Sequence, residues 1–147
     1  MAMMGAFVSQ KMDLTEVVTG CEMPNKYYVS ALKTGGGPIG DHLFKCTEKS
    51  GCCERQFMKG ESRPLDITIE HVSPNSARDT QPFLHCIKPC KCTCCCFCRP
   101  EMKIYLVEDG QNKHIGTIKQ PYFIGDVMLD IYDENEVKIL NIEGSWC

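Results

Sequence analysis

Leu65-Asp66-Ile67-Thr68-Ile69-Glu70-His71-Val72 is the stretch of sequence that decides the fold. Leu65, Ile67 and Ile69 alternate with polar residues along it. Successive side chains of a β-strand point to opposite faces, so a period of two predicts a strand with one face buried. Isoleucine and threonine favour the same structure because branched side chains pack well on a pleated surface.

The sequence on both sides of this stretch continues as short extended segments separated by turns. Gly35-Gly36-Gly37-Pro38 predicts a turn, and Asp109-Gly110 between two alternating segments is typical of a tight hairpin. Residues 12–18 are interpreted as a short amphipathic opening with one helical turn. Strands are predicted over residues 25–33, 39–47, 65–72, 83–88, 101–108, 113–120, 125–132 and 136–142. Short strands at this spacing predict a mostly β protein built as an antiparallel meander, sandwich or barrel.

Length and composition narrow the classes of protein. A chain of 147 residues suits a single domain, here 1–147, with a lead-in segment over 1–24 and a β-meander over 25–147. The hydrophobic fraction of 43% and the charged fraction of 24% are those of a globular protein. A net charge of -3 argues against a dedicated nucleic-acid-binding protein, so no nucleic-acid partner is expected. No apolar stretch approaches the roughly 20 residues that a membrane-spanning helix needs.

The cysteine-rich segment 86–98 holds seven of the twelve cysteines. Disulfides are disfavoured there, because the opening residues lack a secretory signal and the chain is therefore expected in a reducing compartment. Adjacent cysteines also pair poorly with one another. Zinc is an alternative, since Cys92 with Cys95, and Cys95 with Cys98, have the two-residue spacing of metal ligands. Structural zinc sites usually combine two separated pairs of ligands, whereas these cysteines fall in one short segment.

Lipid attachment fits the same segment better. Clustered cysteines beside Phe97 are typical of S-palmitoylation at a cytosolic membrane surface. The predicted palmitoylation sites are Cys94, Cys95, Cys96 and Cys98, and the predicted membrane-facing basic residues are Lys88, Lys91, Arg99 and Lys103. Two or more acyl chains with basic neighbours hold a protein firmly on an anionic membrane. A purely structural role as small buried residues would explain one or two cysteines but not seven.

No catalytic constellation is found, and the protein is not expected to be an enzyme. The four histidines fall on separate predicted elements, without an evident nucleophile or carboxylate partner, and are interpreted as surface or strand-face residues: His42, His71, His85 and His114. The acidic residues Asp130, Asp133, Glu134 and Glu136 lack the spacing of a calcium loop and are interpreted as a solvated hairpin turn. No metal ligands are assigned.

Six motifs in order make the chain resemble the phospholipid scramblase family over nearly its whole length. The segment from Leu14 to Tyr27 is similar to the family's entry motif L-x-E-V-x-T-G-x-E-x-x-N-K-Y. The other resembling segments are Cys52-Cys53-Glu54-Arg55, Arg63-Pro64-Leu65, Lys88-Pro89-Cys90-Lys91-Cys92 followed by Cys95-Cys96-Phe97, Ile115-Gly116-Thr117-Ile118-Lys119-Gln120, and Ile142-Glu143-Gly144-Ser145-Trp146-Cys147. Each motif is weak alone, and their common order and spacing carry the resemblance.

Two departures from the family's pattern qualify what carries over. The family's palmitoylated cluster usually reads C-C-x-P-C-C, so only Cys95 and Cys96 match it, whereas Cys94 and Cys98 rest on composition. The family's domain also continues beyond the segment that ends at Cys147, with more strands, an acidic calcium-binding segment and a hydrophobic helix. The chain is therefore expected to be a truncated scramblase domain, in the form of an inactive fragment or an isoform.

The resemblance implies a fold and a function. The implied fold is a partial tubby-like antiparallel β-barrel that lacks the C-terminal strands and the central hydrophobic helix. The implied function is calcium-triggered, ATP-independent, bidirectional movement of phospholipids across the bilayer, at the cytoplasmic face of the plasma membrane. Calcium is the implied cofactor and covalent palmitate the expected modification, with an anionic phospholipid membrane and other proteins as partners. A palmitoylated lipid- or protein-binding module without transport activity, and a cysteine-rich zinc-binding protein, are the alternatives.

Overall fold

A computed structural model describes residues 5–11, 24–32, 37–51, 62–72, 81–91, 99–122 and 127–144. Nine β-strands lie in these ranges: β1 Ala6–Lys11, β2 Lys26–Leu32, β3 Pro38–Glu48, β4 Leu65–His71, β5 Pro82–Lys88, β6 Glu101–Glu108, β7 Gln111–Lys119, β8 Val127–Asp133 and β9 Lys138–Gly144. They form one antiparallel sheet in the order β1 to β9, so every strand pairs with its neighbours in sequence. In the described ranges, β1 and β9 are the two edges and the sheet is not closed. The predicted fold class, a mostly β partial barrel, is confirmed.

The eight predicted strands correspond to β2 through β9. Asp109 and Gly110 join β6 to β7 with φ angles of 49° and 75°. Positive φ at both central residues is what the tight hairpin turn requires, so that prediction is confirmed. The predicted opening over 12–18 and most of the Gly35-Gly36-Gly37 turn lie outside the described residues, and Gly37 is described with a φ of 99°.

Strand β1 was not predicted from the sequence. Phe7 and Val8 are its only large apolar residues, and Ser9, Gln10 and Lys11 give no periodic signal. Its strand conformation follows from pairing, because all six residues from Ala6 to Lys11 lie opposite β2. Gln10 also donates from Nε2 to Asn25 Oδ1 at 2.7 Å.

One face of the sheet is apolar across the strands from β2 to β9. Directly opposed residues in an antiparallel sheet project to the same face, so the register identifies which side chains share it. The apolar pairs, from one edge to the other, are Val29 with Phe44, Cys46 with Ile69, Ile67 with Cys86, Leu84 with Leu106, Met102 with Ile118, Ile118 with Ile131, and Leu129 with Ile142. We call this surface the apolar face.

The apolar face is only partly covered. Among the described apolar side chains, Cys86 is the one that is buried, with 8% of its surface exposed. Its apolar neighbours on the central strands are half-buried. The most exposed apolar side chains of the sheet lie on its two edges, at Val8, Ile139, Leu140 and Ile142.

The opposite face is polar and carries ion pairs between strands. Lys45 Nζ lies 3.2 Å from Glu70 Oε2, and Lys138 Nζ lies 2.6 Å from Asp130 Oδ1. The sheet therefore has two chemically distinct surfaces.

In the described part of the chain, no helix is long and apolar enough to span a bilayer.

Candidate functional site

The cysteine-rich connection between β5 and β6 is the first candidate site. The palmitoylation sites predicted from the sequence, Cys94, Cys95, Cys96 and Cys98, lie outside the described residues and stay predictions. The two ends of the connection are described. Ile87 lies opposite Lys103 in the sheet, so the pairing of β5 with β6 brings those ends together. An ion pair also joins the two ends of the connection. Lys91 Nζ lies 3.1 Å from Glu101 Oε2.

The four predicted basic residues are placed in different surroundings. Lys88 pairs with Leu65 and so projects on the apolar face, while Lys103 pairs with Thr117 and projects exposed on the polar face. Lys91 is the partner of Glu101, and the Arg99 guanidinium lies 5.0 Å from the centre of the Tyr122 ring. The structure brings Lys88, Lys91 and Arg99 to one end of the sheet, and it places Lys88 and Lys103 on opposite faces. That all four face a membrane stays a prediction.

Three described cysteines show which thiols are accessible. Cys46, Cys86 and Cys90 carry free thiols, and Cys90 is exposed. Burial raises the pKa of the Cys46 thiol. Burial also raises the pKa of Cys86, and the nearby Cys46 adds to that effect. Because the thiolate is the reactive form, the raised pKa values make Cys46 and Cys86 less reactive thiols, and Cys90 is the described cysteine that is exposed.

Glu48 is the centre of a buried polar network that the sequence analysis did not identify. Its side chain is 4% exposed at the end of β3. Asn25 donates from Nδ2 to Glu48 Oε2 at 2.9 Å, and Ser50 donates from Oγ to Oε1 at 2.8 Å. Arg63 forms an ion pair with the same Oε1. Asn25 and Arg63 belong to two separate motifs of the resemblance, and the structure shows that they share this carboxylate.

The electrostatics of Glu48 follow from these contacts. Burial alone raises the pKa of its carboxyl group, because the charged form loses solvation. The hydrogen bonds from Ser50 and Asn25 and the charge of Arg63 outweigh burial, so the pKa of Glu48 is lowered. Glu48 is therefore ionised at neutral pH. Its two carboxylate oxygens hold together the segments that contain Asn25, Ser50 and Arg63.

The histidines lie on strand faces, as expected, and one interpretation is corrected. His85 has a carboxylate partner, because its Nε2 lies 2.8 Å from Asp66 Oδ1. The expectation that no histidine is paired with a carboxylate was therefore wrong for His85. The ring contacts of the others are His42 with Tyr28, His71 with Phe44 and Phe83, and His114 with Tyr105. Asp66 and His85 lie on adjacent strands, and pattern reading along one strand does not detect such a pair.

Asp133, Glu134 and Glu136 lie at the hairpin between β8 and β9, as interpreted, but Asp130 lies within β8 and is 6% exposed, so its assignment to a solvated turn was wrong. Asp133 Oδ1 accepts hydrogen bonds from the backbone N–H groups of Asn135 and Val137, each at 2.8 Å. Asp130 Oδ1 accepts from Asn141 Nδ2 at 2.8 Å and pairs with Lys138. Glu136 pairs with Lys119. Across the described ranges, no three histidine, cysteine or acidic side chains are grouped as a metal site.

Comparison with known proteins agrees with the motifs and the sheet. The chain matches the family model named Scramblase over residues 2–147. It is 31% identical over 139 residues to phospholipid scramblase 1 of Mus musculus, in an alignment that covers 93% of this chain and 38% of that protein. It is 27% identical over 139 residues to phospholipid scramblase 2 of Bos taurus, covering 93% of this chain and 42% of that protein.

The chain thus spans about two fifths of the length of these curated relatives. No solved structure matches it. The family model covers all nine strands, including the residues that converge on Glu48 and both ends of the cysteine-rich connection. From this coverage, and from the open antiparallel sheet that the strands form, we conclude that the chain belongs to the scramblase family.

Proposed function

We propose that this protein takes part in calcium-triggered, ATP-independent, bidirectional movement of phospholipids between the leaflets of the plasma membrane. The observation that carries the proposal is the family match over residues 2–147 together with relatives that are named phospholipid scramblases. The proposed activity moves lipids and breaks no covalent bond.

The sheet supports this function through its two distinct faces. A phospholipid has an anionic or zwitterionic headgroup and an apolar tail. A headgroup that leaves water for hydrocarbon loses its hydrogen bonds unless polar groups replace them. The apolar face is suited to contact with lipid tails, and the polar face carries charged and amide side chains such as Lys45, Lys103 and Asn141.

The cysteine-rich connection supplies the proposed attachment to the cytoplasmic leaflet. Palmitate in thioester linkage to Cys94, Cys95, Cys96 and Cys98 is proposed as the anchor. The described ends of the connection add Lys88, Lys91 and Arg99 at the same end of the sheet. An acyl chain gains about 0.8 kcal/mol per buried methylene, and each nearby basic residue adds roughly 1 kcal/mol against anionic lipid.

Calcium is proposed as the trigger on the basis of the resemblance to the family. The proposal assigns no calcium ligand among the described residues. Asp130, Asp133 and Glu136 already have lysine, amide or backbone N–H partners, and binding calcium would require them to release those partners.

Gene deletion tests the proposed function in the protein's own cells. Cells lacking the gene should expose anionic phospholipid more slowly after a calcium ionophore, as measured with a fluorescent protein that binds phosphatidylserine. Re-expression of the gene should restore the rate, and re-expression with all four cysteines Cys94, Cys95, Cys96 and Cys98 changed to serine should not. An unchanged rate in the deleted cells, with the protein still found on membranes in normal cells, would favour a binding module without transport activity.

A further inference from the structure

The charged residues of the sheet are divided between its two ends. Because neighbouring strands run in opposite directions, the end of one strand lies beside the start of the next. One rim of the sheet therefore carries the last residues of β1, β3, β5, β7 and β9 and the first residues of β2, β4, β6 and β8. We call it the basic rim. The opposite rim, which carries the hairpins between β6 and β7 and between β8 and β9, is called the acidic rim.

Basic residues outnumber acidic ones at the basic rim. Within the described ranges, Glu48 and Glu101 are the acidic residues at strand ends or in the connections beside them, and they are paired with Arg63 and Lys91. Lys119 pairs with Glu136 of the acidic rim. The basic residues at the same positions of the basic rim are Lys11, Lys26, Lys49, Arg63, Lys88, Lys91, Arg99 and Lys119.

The acidic rim has the opposite charge. Lys138 is the basic residue of its two described hairpins, and its ammonium group pairs with buried Asp130. The molecule is thus polarised along its strands, although its net charge is only -3. The acidic residues of the two hairpins are Glu108, Asp109, Asp133, Glu134 and Glu136.

Three exposed lysines of the basic rim are not neutralised by any ion pair among the described residues: Lys11, Lys26 and Lys49. Lys11 lies directly opposite Lys26 in the register of β1 and β2. Opposed side chains in an antiparallel pair have Cβ atoms about 4.5–5.5 Å apart, and like charges at such positions are destabilising. On its other side, Lys26 lies opposite Thr47, which carries no compensating charge.

Protection of the sheet edge does not explain this group of lysines. Lysine on an edge strand discourages pairing with another chain, and this accounts for Lys11 on β1. Lys26 lies on β2, between β1 and β3, and Lys49 follows β3, so neither is on an edge. The repulsion between Lys11 and Lys26 is relieved when an anionic partner supplies the opposite charge.

The positive charge of the basic rim is spread over both faces of the sheet. Lys26 lies opposite Thr47, which in turn lies opposite Thr68, so Lys26 and its neighbour Lys11 project on the polar face. Lys88 projects on the apolar face at the same rim. Because the charge follows the rim rather than one face, a flat anionic surface contacts most of it when the strands stand on that surface by their ends.

We propose that the basic rim docks end-on on the phosphate groups of an anionic phospholipid bilayer, with the strands rising from the membrane and the acidic rim directed toward water. A bilayer fits this surface because it is extended and negatively charged, so it attracts the basic rim and repels the acidic rim. The inference deepens the proposed function, since it rests on a membrane as the partner and names the surface that meets it. It requires neither acylation nor lipid transport.

Sedimentation with vesicles tests the contact on unacylated protein. The whole chain, produced in bacteria, is mixed with vesicles of phosphatidylcholine, or of phosphatidylcholine and phosphatidylserine in a ratio of about two to one. We expect binding to the anionic vesicles only, and release at high salt, because exposed charges are screened. A protein that binds neither kind of vesicle, or both kinds equally, would overturn the proposal.

Lys26→Glu and Lys113→Glu form a matched pair of variants. Both change the net charge by the same amount, and Lys113 is exposed near the acidic rim. Lys26→Glu places opposite charges across from each other at the pair with Lys11, so it should not weaken the sheet. We expect Lys26→Glu to reduce binding to anionic vesicles at least about fivefold, and Lys113→Glu less than about twofold. Equal loss in the two variants would assign the attraction to net charge and overturn the basic rim.

A second variant keeps the comparison decisive if Lys26→Glu does not fold, which circular dichroism checks. Lys49→Glu changes an exposed side chain in the connection after β3, and it should also reduce binding at least about fivefold. Binding of Lys49→Glu equal to that of Lys113→Glu would contradict the proposal.

Amine labelling with and without anionic vesicles tests the orientation. A water-soluble amine-reactive reagent modifies exposed lysines, and mass spectrometry locates the modified positions. End-on docking should protect the three exposed lysines of the basic rim and leave Lys113 reactive. Lys113 lies opposite Leu106 on the apolar face. Protection of Lys113 together with Lys88 would therefore show a sheet lying flat on its apolar face and would overturn end-on docking.

These measurements and the gene-deletion experiment can fail separately. Unacylated protein that does not bind anionic vesicles would overturn docking by the basic rim, and lipid transport would still be decided by the gene deletion. An unchanged rate of lipid exposure in the deleted cells, with vesicle binding that Lys26→Glu weakens, would instead reject transport and support the docking surface.

Discussion

At the scale of single residues, Glu48 links separate segments of the chain through its contacts with Asn25 and Arg63. It is a carboxylate 4% exposed, and its charge is balanced by Arg63, which is 18% exposed. Removing one partner of a buried ion pair leaves the other charge without compensation in a poorly solvated site. The pair thereby fixes the segment before β4 to the end of β3, where hydrophobic burial is modest.

Replacing Arg63 with methionine should lower the free energy of unfolding by about 3 kcal/mol, because the Glu48 charge stays buried and loses its partner. Urea denaturation followed by circular dichroism measures the change. Lys119→Met, which breaks the more exposed pair with Glu136, is the control and should cost less than about 1 kcal/mol. Equal effects of the two substitutions would contradict a special role for Glu48.

The lowered pKa of Glu48 predicts how stability depends on pH. The unfolded chain titrates this group near the ordinary value of about 4.3, and the folded protein titrates it lower. Its contribution to stability is therefore fully present above that value and is lost as the pH falls through the folded pKa. Denaturation midpoints measured from pH 6 down to pH 3 should fall less steeply for Glu48→Gln than for the unchanged protein. Equal pH dependence of the two proteins would show that other carboxylates determine the loss of stability at low pH.

Residue-scale contacts were partly predictable from the sequence. Asn25 and Arg63 could be singled out because each lies in a motif of the resemblance. Their common partner could not, because Glu48 is 23 residues from Asn25 and 15 from Arg63, and it belongs to neither motif. The pair of His85 with Asp66 was missed for the same reason, since 19 residues separate its members. Such contacts depend on strand register, which bulges shift and which the alternating pattern alone does not give.

At the scale of elements, the close approach of β7 and β8 depends on Gly116. This glycine is buried opposite both Ile104 and Asp133. A Cβ atom added there would lie 2.6 Å from the carbonyl oxygen of Tyr132, which is backbone and cannot rotate away. The presence of glycine in the Ile115-Gly116-Thr117 motif is therefore explained by the lack of space for a side chain.

Gly116→Ala should push β8 away from β7 and lower the free energy of unfolding by about 2 kcal/mol, as overpacking does in other cores. Thermal denaturation monitored by circular dichroism measures the loss. Lys113→Ala, an exposed change on the same strand, should alter stability by no more than about 0.5 kcal/mol. An unchanged midpoint for Gly116→Ala would mean that the two strands separate at little cost.

The elements themselves were predictable wherever the pattern was local. β4 follows from its alternation, and the hairpin of β6 and β7 follows from Asp109-Gly110. β1 was missed because its strand conformation depends on β2 rather than on its own apolar residues. The grouping of Met102, Ile118 and Leu129 on one face was not predictable, because these residues come together only when three strands are in register.

At the scale of the whole molecule, the apolar face and the cysteine-rich connection are the two features relevant to the proposed membrane contact. Several apolar side chains of the sheet stay half-buried. The basic residues Lys88, Lys91 and Arg99 are grouped at one end, beside the proposed acylation sites. The proposed attachment places this end of the sheet at the membrane surface.

Changing Cys94, Cys95, Cys96 and Cys98 together to serine should move the protein from the membrane fraction to the soluble fraction, since a protein without acyl chains keeps only weak electrostatic attraction. Immunoblots of fractionated cells measure the partition. Cys46→Ser is the matched control, because this half-buried thiol with a raised pKa is a poor substrate for acylation. Unchanged partition of the fourfold variant would remove acylation as the anchor.

The strictly sequential order of the strands affects how the protein is made. Each strand pairs with the one that precedes it, so a strand leaving the ribosome finds its partner already in place. Among the nine described strands, no pairing has to wait for a strand synthesised much later, and the cost of closing long loops between them is avoided. The sheet can thus grow during translation one strand at a time, with the newest strand always serving as the template for the next.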